Sequence, residues 1–85
     1  MSTLHIFSRA DIPNHALRAI GQDDAIVLTQ DACYACHTLR NVACEIYLLE
    51  PCAMARGIHE TSTLSFIDDP TFVTLTLKFN NTISW

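Results

Sequence analysis

Four cysteines and four histidines carry the reactive side chains of this 85-residue sequence. The densest group is Cys33-Tyr34-Ala35-Cys36-His37, and three chemistries fit it. Its order matches the attachment pattern of c-type haem, but covalent haem needs export and a second axial ligand, and the chain opens Met-Ser-Thr-Leu-His with no basic region before an apolar stretch. Zinc is the second chemistry: the spacing Cys33-x2-Cys36-x7-Cys44-x7-Cys52, with His37 and His59 nearby, supplies enough ligands, yet only the first pair has finger-like spacing. The third is thiol redox or sulfur transfer by Cys33 and Cys36. With Asp31 capping a helix, Cys33 would fall in its first turn, where the backbone dipole favours thiolate. Cys52, just after Pro51, would gain the same activation at the start of another helix.

The rest of the composition narrows the field. Eighty-five residues make one domain, 1–85, and a chain so short buries only about 60% of its unfolded surface. Hydrophobic residues are 49% and charged ones 16%, an apolar balance that suggests a surface shared with another subunit. No apolar run approaches the roughly 18 residues of a membrane span, so a cytoplasmic protein without membrane contact is expected. Net charge is −4, and Arg9, Arg18, Arg40, Arg56 and Lys78 are scattered. Direct nucleic-acid binding needs a basic stripe, which is absent. Two glycines leave little from which to build a phosphate-cradling loop, and no Ser-His-Asp set or useful carboxylate pair occurs. His5 reads as a packed or hydrogen-bonded strand residue, His15 and His59 as surface residues.

The elements that must position these groups alternate. Residues 3–8 read as a strand. Asp11 can cap a short helix with Pro13 in its first turn, ending at Gly21. Residues 25–30 form a near-continuous apolar run, as in a strand buried on both faces. A helix follows from Asp31 to about Leu39, then a strand over 43–49. The next helix has Pro51 near its start and Gly57 past its end, and a strand covers 64–67. Residues 70–79 read two ways. Val73, Leu75, Leu77 and Phe79 alternate with polar residues as in a strand, whereas Asp69-Pro70 opens a helix and Phe72, Leu75, Thr76 and Phe79 fall at helical spacing. The residues alone favour the strand. Alternation of strands and helices predicts an α/β domain with a largely parallel sheet.

Leu4-His5, Gln30-Asp-Ala-Cys-Tyr-Ala35, Met54-Ala-Arg-Gly57, Ile67-Asp-Asp-Pro-Thr-Phe-Val-Thr-Leu-Thr-Leu77 and Trp85 occur in the order found in the TusB/DsrH family of sulfur-relay subunits. The chain resembles that family over nearly its whole length. The resemblance implies a small three-layer, DsrEFH-like α/β domain: a mostly parallel four-stranded sheet with helices on both faces, and a helix rather than a strand over 70–78. It implies a cytoplasmic complex with TusC-like and TusD-like sister subunits, a heterohexamer built as a dimer of trimers. Such a complex takes persulfide sulfur from a TusA-like carrier and passes it through a TusE-like one toward 2-thiolation of the tRNA wobble uridine. The DsrEFH assembly of sulfur oxidation is the alternative.

The family's strongly reactive cysteine belongs to the sister chain, at the position of Leu49 here, so this chain is expected to be a non-catalytic or accessory subunit with no cofactor and no metal. Cys33 and Cys36 stand where the family has Val and Ala, which implies small buried residues. Two departures are Ala32 in place of the family's glycine and a shortened segment between Asp31 and Tyr47. No catalytic residue is firm. Cys33, Cys36 and Cys52 remain candidates for a stand-alone thiol or persulfide carrier, and self-pairing as a homodimer is the rival assembly. Phe72, Val73, Phe79 and Trp85 are the expected interface residues.

Overall fold

The computed structural model describes residues 2–36, 39, 44–59 and 65–85. Five strands form one sheet in the order β4-β3-β2-β1-β5, with every pairing parallel. They are β1 (Thr3–Phe7), β2 (Ala25–Leu28), β3 (Glu45–Leu49), β4 (Ser65–Ile67) and β5 (Asn81–Ser84). The helices are α1 (Asn14–Ala19), α2 (Glu50–Ala55) and α3 (Asp69–Lys78), and a 3₁₀ turn spans Gln30–Ala35. The α/β class stands as expected, but the sheet has five strands rather than four. The added strand, β5, is exposed at all four positions and has no apolar alternation to announce it. Backbone pairing beside β1 holds it, from Thr3 opposite Asn81 to Ile6 opposite Ser84.

Side chains alternate across the strands and divide the core into two layers. On one face Phe7, Ile26, Leu28, Ile46 and Leu48 pack with Ala16 of α1, Ala32, Cys33 and Ala35 of the 3₁₀ turn, and Ala53 of α2. On the other, Leu4, Ala25, Val27 and Ile67 meet Leu75 and Phe72 of α3 and Phe79 just past its end. β2 contributes to both and is buried throughout, which accounts for its unbroken apolar run. Among the described residues, three helical segments thus pack on the first face and α3 on the second.

Residues 69–78 are helical, against the alternation pattern and in line with the family resemblance. Asp68 decides it by accepting a hydrogen bond from the Thr71 N–H at 2.9 Å, with Pro70 in the first turn. The intervening threonines, whose β-branching suggested a strand, turn their hydroxyls back onto the helix: Thr74 donates to Pro70 O and Thr76 to Val73 O. Two other expected caps differ. Pro13, not Asp11, occupies the cap position of α1, and Thr29, not Asp31, that of the 3₁₀ turn.

Candidate functional site

In a parallel sheet every strand ends on the same edge, and the segments that follow gather there. Ser8, Thr29, Glu50, Asp68 and Trp85 each follow a strand at this edge. Gln30, two residues past the end of β2, adopts a left-handed backbone (φ 51°), a rare conformation for a residue with a side chain. It turns the chain into the 3₁₀ segment and sets Asp31 beside α2. There Arg56 donates from Nε (3.1 Å) and Nη2 (2.9 Å) to one Asp31 oxygen, and from Nη1 to the Cys52 carbonyl (3.1 Å). The Tyr34 ring lies 6.0 Å from the guanidinium.

In the Ala-Arg-Gly run, Arg56 and Gly57 each have a local structural role around this clamp. Gly57 takes φ 71°, its N–H donates to Met54 O and the Ile58 N–H donates to Ala53 O. That pair of bonds is the Schellman ending, whose left-handed residue is most often glycine. Ala55 is the last residue of the helix and is exposed, Ala53 two residues before it is fully buried, and Arg56 ties α2 to the 3₁₀ turn.

Cys33, Cys36 and Cys52 lie in the layer under the clamp, Cys33 and Cys36 fully within the core and Cys52 at its margin. The Cys33 thiol donates to Leu28 O at 3.5 Å. Burial pushes it up to about 11, the neighbouring Cys52 adds to this, and Arg56 opposes it. The thiolate activation expected of a capped helix is therefore reversed at Cys33: the cap is not Asp31, and desolvation outweighs the cation. Cys44 precedes β3 at the opposite edge, near Asp24, so the four cysteines do not converge. Among the described residues no group of three His, Cys, Asp or Glu side chains could hold a metal. His37 of the haem-like motif lies outside the described residues, and His59 is exposed.

The interface candidates divide. Val73 is 58% exposed, and so is its α3 neighbour Leu77, at 81%. Phe72 and Phe79 are half-buried against the second apolar layer. Trp85 turns onto its own chain. Its indole N–H donates to Nδ1 of buried His5 at 3.1 Å, its backbone N–H to Ile6 O at 2.9 Å, and its ring lies parallel to Phe7. An indole N–H can only donate, so His5 Nδ1 accepts and its proton sits on Nε2, facing Asp24 Oδ2 at 2.9 Å. Asp24 also accepts from the Thr3 and Gly21 N–H groups. Burial works to raise the Asp24 carboxyl, but these hydrogen bonds together hold it below its ordinary value. Asp24 reads only as a turn residue in the sequence, and its role had no signal there. His5 and Trp85, at opposite ends of the resemblance, prove to be partners.

The fold is a small parallel α/β domain whose strand-following segments gather at one edge of the sheet. The structure is similar to the ychN protein from E. coli, with a TM-score of 0.68 and 16% identity over all of both chains. It is also similar to protein Tm0979 from Thermotoga maritima, with a TM-score of 0.64 and 22% identity over 92% of this chain and 93% of that one. The model of the family described as DsrH like protein matches residues 8–82. Protein TusB of Pectobacterium parmentieri is 33% identical in an alignment covering 96% of this chain and 99% of that protein. The chain belongs to the TusB/DsrH family. Membership carries the coarse functional reading, a sulfur-relay subunit.

Proposed function

We propose that this chain is a mainly structural subunit of a cytoplasmic TusBCD-like sulfurtransferase complex supporting 2-thiolation of the tRNA wobble uridine, with the persulfide carried by a sister chain. The observation that carries this reading is the chemistry of its own thiols. Cys33 and Cys36 are 0% and 1% exposed, and Cys33 is held far from thiolate at neutral pH. A persulfide acceptor must meet its donor and ionise. Leu49, at the position implied for the sister's reactive cysteine, is an aliphatic residue packed toward α3. The thinly covered α3 face, with Val73 and Leu77 exposed, supports the contact with TusC-like and TusD-like subunits. No described helix is long and apolar enough to cross a membrane.

Native mass spectrometry of the chain co-expressed with such sisters tests the proposal. A hetero-oligomer containing all three, with a one-sulfur mass increase on the TusD-like chain after exposure to a sulfur donor, is expected. A homodimer that ignores both sisters would overturn it. One observation favours a second reading, the stand-alone carrier: Cys52 is only half-buried and its carbonyl is held by Arg56. That reading requires the added sulfur on Cys52 of this chain. Family membership suits a DsrEFH-type sulfur-oxidation subunit equally, and the same experiment with DsrE-like and DsrF-like sisters separates the pathways.

A further inference from the structure

The sheet has a second feature at the same edge, away from the thiols. From β1 the chain proceeds to β2 and outward to β4, then returns to place β5 on the other side of β1. The connections therefore diverge between β1 and β5, and parallel sheets bind ligands in the crevice at the carboxyl ends of strands where this reversal occurs. A cleft of about 420 Å³ lies there, lined by Phe7, Ser8, Arg9, Asp11, Pro13 and Trp85. Its volume falls in the range of about 300–1,000 Å³ typical of small-molecule sites.

Two independent aspects of the lining say what would fit. The aromatic wall is fixed in advance. Trp85 is held through its indole N–H by His5, through its backbone by Ile6, and by parallel packing on Phe7 and His5, with the His15 ring edge-on at 5.5 Å. The charges are of both signs and are unused. Arg9 and Asp11 line the same cleft, and neither forms a hydrogen bond or ion pair with a described residue. A guanidinium suits a carboxylate, a carboxylate suits an ammonium group, and a rigid indole suits an apolar or flat body between them.

We infer that the β1/β5 crevice is a binding site for a small zwitterion with an apolar body, the chemistry of a free α-amino acid. Arg9 meets its carboxylate, Asp11 its ammonium group, and Trp85 with Phe7 its side chain. The inference stands apart from the sulfur-relay reading and does not depend on it.

Trp85 is the chain's single tryptophan, so its fluorescence reports directly on the cleft. Titration of the full chain with L-phenylalanine is expected to give a saturable change in Trp85 emission. Phenethylamine, which lacks the carboxylate, and 3-phenylpropionate, which lacks the ammonium group, should each bind at least about tenfold more weakly, the scale of one lost charged contact. Arg9→Ala and Asp11→Ala, both exposed and away from the core, should each weaken L-phenylalanine by about the same factor. No saturable change overturns the site, as does unchanged binding in both variants. A 3-phenylpropionate affinity equal to that of L-phenylalanine replaces it with a plain anion site at Arg9, and equal binding of phenethylamine replaces it with a cation site at Asp11.

Discussion

At the scale of single residues, burial decides the chemistry. With its thiol at about 11, roughly one Cys33 in a thousand is thiolate at pH 8. Alkylation of the native chain followed by peptide mass mapping should therefore modify half-buried Cys44 and Cys52 and leave Cys33 and Cys36 intact until denaturant is added. The His5–Trp85 pair gives a second prediction. Trp85→Phe keeps an aromatic ring but strands a buried acceptor on His5, which should cost about 1–2 kcal/mol in urea denaturation. The partner on the other nitrogen sets a pH dependence. Asp24 is held below its ordinary value of 3.8, so its ionised form stabilises the fold at neutral pH, and that contribution is lost as pH falls through the depressed value. The stability gap between the wild type and Asp24→Asn should be constant near neutrality and close below about pH 4. The small, buried character of Cys33 and Cys36 was legible from what stands in their place in the family. Asp24 was not, because its partners arrive from β1 and from the turn at Gly21, and no local spacing encodes that meeting.

At the scale of elements, end chemistry was right for α2 and α3 and wrong for α1 and the 3₁₀ turn, where Pro13 and Thr29 rather than Asp11 and Asp31 hold the cap positions, and side-chain alternation misled at α3. Pro51 and Gly57 bracket α2 as expected, and Gly57 does so because its φ of 71° is open to glycine. No atom lies within 4 Å of a Cβ placed there, so Gly57→Ala should cost only the backbone strain, about 1 kcal/mol by thermal or chemical unfolding. The alternation in 73–79 pointed to a strand, and α3 formed because one carboxylate, Asp68, outweighs threonines that can bond back onto a helix. β5 was illegible for the opposite reason: its four exposed residues carry no pattern, and its stability comes from the backbone of β1.

At the scale of the whole molecule, the uneven covering of the sheet is the property that bears on assembly. Val73 and Leu77 lie one turn apart on α3 and are 58% and 81% exposed. The double variant Val73→Asp with Leu77→Asp should keep its circular dichroism and melting temperature while losing the sister subunits in size-exclusion chromatography. Retained assembly would move the contact to another face. The apolar composition suggested a shared surface without naming one, and Phe72 and Phe79, equally apolar, are taken up by the second core layer.

The pairing of β5 with β1 also dictates an order of events during synthesis. Trp85 and His5 are 80 residues apart, whereas the Thr29–Phe7 contact that joins β2 to β1 spans 22. The added loop-closure entropy is only about 1 kcal/mol, so the long pairing is affordable at equilibrium. In time it must come late, because a ribosome emitting the chain from its first residue can let β1 and β2 meet long before β5 has left the exit tunnel. Until then the imidazole of His5 has no indole to cover it and the crevice has no far wall. The tryptophan side of the domain is therefore the last part to be built.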